Sequence, residues 1–465
     1  MWTKLFSMCG FDQDEIDRER PRIEKALERL GINEEDVKRG EQRVRDAFEI
    51  ELEGVRKLLR IHMTGCINLM LARDENSKVI YVEWPLPVQI IDSASLVAED
   101  VYIGAPAGII NMVLGQIFGK NEPVIEAGEA TGMPPGGAHC ALFQTELGAI
   151  VKGLVPVPDL MIGSNFFCEP PAATVSLLKE LYDIPVIYVD GCTDSEWGLW
   201  PQLDPRVMKY LGQQLDKCME EIGRFIGKEI TEEVKRQGFK NRVKYALQGQ
   251  FLFRLIAKDP QPLSQADASL AFWLLNTPLP DNDEAVDAIT SLLREVEDRV
   301  EQGVGVVEKG APRIHFTLNC AVDTSIVKAI EQKGVSVAVL FWNIFPEIVN
   351  YRISAATGGE KMASALLKAG GFSSTSGAVE QYKAYVKEFD LDGVIICYSY
   401  SCRAYTIMPH IVKDGLRELG VPSIILEGDF YDNRIYSAQQ MRTRIEAFVE
   451  TLKVRKAVES TAVVN

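Results

Sequence analysis

The sequence predicts an α/β protein with two parallel-sheet domains, a helical extension before them and a helical section between them. Short runs rich in β-branched residues alternate with helix-like segments in two separate regions of the 465-residue chain. These runs are apolar throughout, which is typical of parallel strands that are buried on both faces. Outside the two regions, apolar residues recur at helical spacing instead.

A helical N-terminal extension is predicted for residues 1–77. Within it, residues 11–62 are rich in Glu, Lys and Arg, and the stretch GINEED marks a break followed by a new helix start. Amphipathic helices of this kind can form a partner surface or pack on their own domain. We expect these helices to pack on their own domain.

The first α/β domain is predicted at 78–200 and a helical section at 201–310. The strands of this domain are KVIYVEW (78–84), DLMIGSN (159–165) and IPVIYVD (184–190), and the helical section runs from DPRVMKYLGQQLDKC to DEAVDAITSLLREVEDRV. The apolar strands alternate with helices such as TVSLLKELY, which indicates parallel βαβ units.

The second α/β domain is predicted at 311–452. Its strands are RIHFTLN (313–319), VSVAVLFW (335–342), GVIICYS (393–399) and PSIILEG (422–428), and a helix over SAQQMRTRIEAFVETL closes it before a polar tail at 453–465. Both α/β domains are thus expected to resemble flavodoxin or Rossmann sheets.

Composition excludes several classes of function. The net charge of −16 disfavours broad contact with nucleic acid or anionic membranes, because both need clustered Lys and Arg. Apolar stretches such as AGIINMVLGQIF fall short of the roughly 18 residues that span a membrane. The first residues turn acidic at once and contain no signal-peptide core, so we expect a cytoplasmic protein.

The positions of the cysteines point to a site. Cys168, Cys192, Cys320 and Cys402 each follow a predicted parallel strand, at the sheet edge where ligand crevices form, and Cys140 lies where a Gly/Pro-rich loop enters a helix. Structural disulfides are not expected in a reducing compartment. Four cysteines remain. We expect Cys9 and Cys218 to be structural or incidental and Cys397 to lie in the core, and the pattern leaves Cys66 undecided.

Scattered thiolates with few histidines favour an iron–sulfur cluster over zinc. The chain has four histidines and no matching C-x₂-C pairs, whereas soft thiolate sites suit iron–sulfur clusters. A cluster held in a cleft between the two domains fits single cysteines from separate loops. The stretches GQIFGKN and GVGVVEKG are incomplete nucleotide motifs. A nucleophile pair of His139 and Cys140 is disfavoured, because adjacent side chains seldom point at one another.

Several segments resemble one known family. VPDLMIGSNFFCEPP, DPRVMKYLGQQLDKCMEEIGRFIGKEI, RIHFTLNC, DGVIICYSYSCRAY and GVPSIILEGDFYDNRIYSAQQMRTRIEAFVE occur in that order. Together they resemble subunits of the benzoyl-CoA reductase / 2-hydroxyacyl-CoA dehydratase family, over about residues 78–452. The resemblance implies an oxygen-sensitive enzyme, a dehydratase (lyase) or reductase, with a [4Fe-4S] cluster held by Cys140, Cys168 and Cys402.

The same resemblance implies partners and a chemistry. A separate ATP-dependent iron–sulfur activator would inject one low-potential electron, which agrees with the lack of a complete nucleotide motif in this chain. The substrate would be an acyl-CoA thioester, aromatic or 2-hydroxyacyl, that reacts as a ketyl-type radical. The protein would work as a homodimer or as a heterodimer with a related subunit.

Two alternatives stay open. A three-cysteine cluster leaves Cys192 and Cys320 unexplained, with Cys66 or Cys397 as a sixth thiolate. One branch of the superfamily carries a double-cubane [8Fe-9S] cluster in a homodimer that reduces small molecules, and six cysteines would suit it. The other alternative is a non-catalytic subunit that carries electrons or stabilises a partner.

Residues close to the matched cysteines are further candidates. Glu83 and Glu169 are predicted to transfer protons, because dehydration or reduction needs an acid near the site. Ser401 and Tyr405 are predicted to line the pocket. Arg403 would counter the cluster charge or hold a phosphate or carboxylate, and a surface salt bridge is the alternative for it.

Overall fold

Two four-stranded parallel sheets form the framework of the protein and confirm the predicted α/β class. They are seen in a computed structural model that describes residues 2–133, 139–192, 196–275, 277, 282–317, 323–349, 355–369, 374–435 and 437–464.

The first sheet has the strand order β2-β1-β3-β4 and the second the order β6-β5-β7-β8. Every predicted strand forms, although most are shorter than predicted. Strand β2 was not predicted; it is a four-residue edge strand whose first half is only partly buried. The strands are β1 Lys78–Val82, β2 Val101–Gly104, β3 Leu160–Ser164, β4 Val186–Val189, β5 Arg313–Phe316, β6 Ser336–Leu340, β7 Gly393–Ser399 and β8 Ser423–Gly428.

The two sheets share one topology. In each, the chain moves from the first strand to one neighbour and then crosses to the other side, so the strand order reverses between β1 and β3 and again between β5 and β7. All described pairings are parallel, for example Tyr81 with Met161 and Phe316 with Ile395. Ligand crevices in such sheets form outside the carboxyl ends of the strands at the reversal point.

Helices cover the sheets and form the helical regions before and between them. In the described residues they are α1 Thr3–Met8, α2 Gln13–Arg29, α3 Glu34–Ala47, α4 Glu53–Met70, α5 Ala72–Glu75, α6 Gln89–Ser95, α7 Pro106–Ile110 continuing as a π-helix over Asn111–Ile117, α8 Glu122–Glu129, α9 Ala141–Val151, α10 Pro170–Tyr182, α11 Pro205–Ile226, α12 Glu232–Ile256, α13 Gln265–Leu275, α14 Asn282–Gln302, α15 Ser325–Gln332, α16 Gly358–Leu367, α17 Thr375–Glu388, α18 Ala404–Glu418 and α19 Ala438–Val464.

The N-terminal helices pack against the connecting helices. Glu295 on α14 accepts hydrogen bonds from the first backbone N–H groups of α4, those of Glu53 and Gly54, at 2.7 and 2.9 Å. Gly54 lies so close to α14 that a Cβ atom there would be 2.4 Å from the backbone of Leu292. The two helical regions therefore form one packed body.

The last helix is longer than predicted. A polar tail is predicted from the sequence at 453–465, whereas α19 continues to Val464. No helix among the described ranges is both long and apolar enough to span a membrane.

Candidate functional site

A cavity of about 320 Å³ lies where the carboxyl ends of both sheets meet the connecting helices. Trp84, which follows β1, and Phe341, which follows β6, reach it from the two domains, and Phe272 and Trp273 reach it from α13. Its volume falls in the range of small-molecule sites.

Cys140, Cys168 and Cys402 come together at this cavity. Cys140 and Cys402 line it, and Cys168 follows the lining residue Phe167. Burial raises the pKa of the Cys140 thiol well above its usual value, and the neighbouring Cys402 and Cys168 raise it further. Burial, followed by the nearby Cys402, likewise raises the pKa of Cys168. The three thiols therefore lie within electrostatic reach of one another.

Two of these thiols sit at helix N-termini. Cys140 is the residue before α9, and the backbone N–H of Leu142 faces its sulfur. Burial raises the pKa of Cys402 to about 11, although the N–H groups of Ala404 and Tyr405 partly offset this by favouring the thiolate. Free N–H groups at a helix N-terminus stabilise an anion such as a thiolate.

The donor set is of the kind that an iron–sulfur cluster requires. Such clusters are held by soft thiolate donors. Cys140, Cys168 and Cys402 supply three thiols next to an apolar cavity. Within the described ranges, no three His, Cys, Asp or Glu side chains are placed to hold one metal ion.

Asp429, which sequence reasoning did not select, organises the loop that carries Cys402. Its buried carboxylate accepts hydrogen bonds from the hydroxyls of Ser399, at 3.1 Å, and Ser401, and from the N–H groups of Ser401, Tyr431 and Asp432. Burial nevertheless raises the pKa of Asp429, and these bonds offset part of that rise. An aspartate directly after the apolar run of β8 was the available signal.

Glu83 lies behind the cavity wall, paired with another carboxyl group. It is 1% exposed, and Glu146 on α9 is fully buried. Among the described residues, none of their four carboxyl oxygens has a donor at normal bonding distance. Burial, then the charge of Glu146, raises the pKa of Glu83 well above its usual value, and burial raises the pKa of Glu146 to about 7. Two carboxyl groups in contact can hydrogen bond only if one is protonated, so the pair holds a proton.

The other residues predicted near the cysteines are divided between the cavity and the surface. Tyr405 lines the cavity and is 2% exposed, and its buried hydroxyl has no hydrogen-bond partner in the described part of the chain. Ser401 is buried against Asp429 and does not line the cavity. Glu169 and Arg403 form an ion pair at 3.0 Å, with both side chains more than half exposed. This is the salt-bridge alternative considered for Arg403.

The additional candidate cysteines that the structure describes, Cys192, Cys66 and Cys397, do not line this cavity. Cys192 is exposed, lies near Tyr210, and does not line the cavity. Cys320 lies outside the described residues. Cys66 is buried within α4, and burial raises its pKa to about 12. Cys397 is buried inside β7.

The surroundings of His139 argue against a nucleophile pair with Cys140. The His139 ring donates from Nε2 to the Thr174 hydroxyl, 2.9 Å away, and that hydroxyl in turn donates to the carbonyl of Pro170. Burial lowers the pKa of His139 to about 4. The imidazole is therefore held neutral and directed toward α10.

Comparison with known proteins agrees with the resemblance seen in the sequence. The chain is 22% identical to the alpha subunit of (R)-2-hydroxyglutaryl-CoA dehydratase of Acidaminococcus fermentans, over 64% of this chain and 61% of that protein. It is 22% identical to the (R)-phenyllactyl-CoA dehydratase alpha subunit of Clostridium sporogenes, over 73% and 83%. It is 18% identical to one subunit of the benzoyl-CoA reductase of Thauera aromatica, over 70% and 78%. A family model described as 2-hydroxyglutaryl-CoA dehydratase, D-component, matches residues 84–452, so the protein belongs to that family.

Proposed function

We propose that this protein is an iron–sulfur subunit that reduces or dehydrates an acyl-CoA thioester by one-electron chemistry. The observation that carries the proposal is the convergence of Cys140, Cys168 and Cys402 on one cavity. The relatives support the substrate class, since they are named as dehydratases of 2-hydroxyacyl-CoA esters or as a benzoyl-CoA reductase.

In this proposal Cys140, Cys168 and Cys402 hold a [4Fe-4S] cluster at the cavity. When bound, the cluster supplies a low-potential electron to the substrate. The N–H groups at the start of α9 and α18 stabilise the thiolates of Cys140 and Cys402. Asp429 and Ser401 keep the Cys402 loop in place, because ligand orientation depends on such outer hydrogen bonds.

The chain also supplies protons in this proposal. Tyr405 contributes its ring to the cavity wall, whereas its hydroxyl group is buried within the protein. The pair formed by Glu83 and Glu146 stores a proton directly behind the wall, because both neighbours of Glu83, Val82 and Trp84, line the cavity. A protonated acid near the reacting group is what dehydration or ring reduction needs.

The proposal includes two partners. The relatives are named as single subunits of their enzymes, so we propose that this chain pairs with a second subunit, either a related one or a copy of itself. We also propose a separate ATP-dependent iron–sulfur activator as the electron source.

Iron analysis after anaerobic purification tests the cluster. The intact chain is expected to hold ~4 Fe, and Cys140→Ser, Cys168→Ser and Cys402→Ser are each expected to lose most of it. Cys218→Ala is the control, because Cys218 is buried on α11 away from the cavity. A chain that holds no iron after anaerobic reconstitution would refute the proposal.

The same measurement tests the double-cubane alternative. That cluster requires ~8 Fe per chain, and Cys192→Ser should then remove about half of it. We expect Cys192→Ser to leave the iron content unchanged. Turnover of the chain alone with an activator and a 2-hydroxyacyl-CoA would in turn exclude a purely electron-carrying role.

A further inference from the structure

Aromatic rings form one wall of the cavity. Phe341 stacks on Trp342 and Tyr405, with ring centroids 5.0 and 5.9 Å apart, and meets Phe272 and Phe430 edge to face at 5.8 and 6.1 Å. All five residues line the cavity, and Tyr405 and Phe430 are themselves in edge contact at 5.0 Å. Such a wall offers both faces and edges to another ring.

The arginine of the cavity wall is already engaged. Arg242 binds the carboxylate of Asp92 through Nε and Nη2, each at 2.7 Å, and its Nη1 donates to the carbonyls of Leu274 and Thr277. The side chain is 2% exposed. Four of its five N–H donors are thus committed within the protein, and its charge is neutralised. Arg242 therefore cannot anchor a second carboxylate without giving up Asp92.

Lys368 is the other basic residue that lines the cavity in the described part of the chain. It is 9% exposed and follows the end of α16. No carboxylate side chain of the described residues lines the cavity beside it. Lys368 is therefore the group that has to be tested as a carboxylate anchor.

From these observations we infer that the acyl group bound in this cavity is aromatic and uncharged, and is not a dicarboxylic acyl group. The inference rests on the proposed function, because it names the substrate class of the same site. Burying a ring against five others is favourable, whereas a buried carboxylate is costly and would find Arg242 already paired with Asp92 and only Lys368 left as a basic group among the described lining residues.

The cavity opens between α12 and α16. Leu247 on α12 lines the cavity and is 47% exposed, and Ala365 and Leu366 on α16 line it and are partly exposed. The ring-lined wall lies further in, since Tyr405 is 2% exposed and Trp342 and Phe430 are each 6% exposed. An acyl group that enters here passes an apolar rim before it meets the rings.

Binding measurements on the anaerobically prepared protein test the inference. We expect 3-phenylpropanoyl-CoA to bind about tenfold more tightly than glutaryl-CoA or acetyl-CoA, a difference of about 1.4 kcal/mol, in isothermal titration calorimetry without activator. Equal or tighter binding of glutaryl-CoA would overturn the inference. Equal binding of acetyl-CoA would overturn it too, because the ring would then contribute nothing.

Two arginine variants test whether the preference for the phenylpropanoyl ester arises in this cavity. Leu247→Arg places a cation at the rim, and we expect it to lower the affinity ratio of the phenylpropanoyl to the glutaryl ester by about tenfold. Leu181→Arg is the matched control, because Leu181 is 48% exposed on α10 and does not line the cavity. An unchanged ratio in Leu247→Arg, with a circular dichroism spectrum like that of the intact chain, would contradict the inference.

A variant of Lys368 tests whether this residue anchors a carboxylate of the ligand. We expect Lys368→Met to leave the affinity ratio unchanged within about twofold. A ratio that rises in Lys368→Met would mean that the lysine binds the glutaryl carboxylate, and it would overturn the exclusion of dicarboxylic acyl groups.

Failure of the proposed function gives a different result. If no CoA ester binds but uncharged 3-phenylpropanamide does, the proposed binding of CoA esters is refuted, whereas the preference for an aromatic group is still supported. If the ester affinities favour the glutaryl group while the iron content matches one cluster, the proposed function stands and this inference falls.

Discussion

The buried carboxyl pair makes the stability of the protein depend on pH in a calculable way. Burial raises the pKa of Glu146 from 4.5 to about 7. Each pKa unit corresponds to about 1.4 kcal/mol, so the retained proton is linked to about 3 kcal/mol of folding free energy. In the unfolded chain both carboxyl groups lose their protons near their ordinary pKa.

The direction in which stability changes with pH follows from proton binding. Between pH 5 and pH 7 folded Glu146 holds a proton that the unfolded chain has released, so this contribution to stability falls as pH rises. The contribution is fully present below the unfolded pKa and is lost once the pH passes the folded pKa of about 7. Replacing Glu146 by Gln removes one of the two titrating groups and leaves a side chain of nearly the same shape.

We therefore expect Glu146→Gln to lose less stability than the intact protein when the pH is raised from 5 to 8. The difference is about 2 to 3 kcal/mol, measured as the free energy of unfolding in urea. Glu297→Gln is the control, because Glu297 is an exposed glutamate on α14. The infrared absorption of protonated carboxyl groups should weaken in Glu146→Gln below pH 7 without disappearing, because burial keeps the pKa of Glu83 well above its usual value and Glu83 stays protonated.

Two results would refute this reasoning. If Glu146→Gln and the intact protein lose stability in parallel between pH 5 and pH 8, Glu146 does not hold the proton. If Glu297→Gln changes the pH dependence as much as Glu146→Gln does, the effect is one of net charge and not of the buried pair.

Two further predictions concern the packing of helix α4 and a buried ion pair. Gly54→Ala should destabilise the protein by about 1 to 3 kcal/mol, because its Cβ would lie 2.4 Å from Leu292. Gly65→Ala on the same helix should be neutral or stabilising by up to about 1 kcal/mol, since no atom of the described residues outside its own helix turn lies within 4 Å of its Cβ. Unfolding both variants in urea measures the two changes in stability. Equal changes in the two variants would contradict the prediction. Asp92→Asn should cost about 3 to 5 kcal/mol by leaving Arg242 buried without a counter-ion. A loss below about 1 kcal/mol, as for an exposed pair, would show that the charge is compensated elsewhere.

Sequence reasoning worked for features with a local cause. Continuous apolar runs bounded by turn residues were recognised as parallel strands, because burial on both faces removes the alternation of exposed strands. The prediction missed β2 and ended the last helix too early. In both cases the local pattern was weak: β2 has four residues, and residues after 452 lack a clear apolar stripe.

The residues of the candidate site likewise include some that the sequence could single out and some that it could not. Five cysteines were selected because each stands at a strand end or a helix start, which is readable from neighbouring residues: Cys140, Cys168, Cys192, Cys320 and Cys402. The family resemblance then implied the set of Cys140, Cys168 and Cys402. Asp429 and Glu146 were not selected. Each looks like an ordinary carboxylate until the tertiary structure shows what surrounds it.

The sequence alone determined the fold class, the positions of seven of the eight described strands and the places where cysteines leave the sheets. The tertiary structure decided which of those places meet. Cys168 and Cys402 are 234 positions apart and follow strands at the reversal points of two different sheets. Their proximity depends on how the two domains pack, and so do the engagement of Arg242 by Asp92 and the ring wall around Phe341. Periodicity and turn signals report local conformation, whereas a site between domains is built from long-range packing that no single segment encodes.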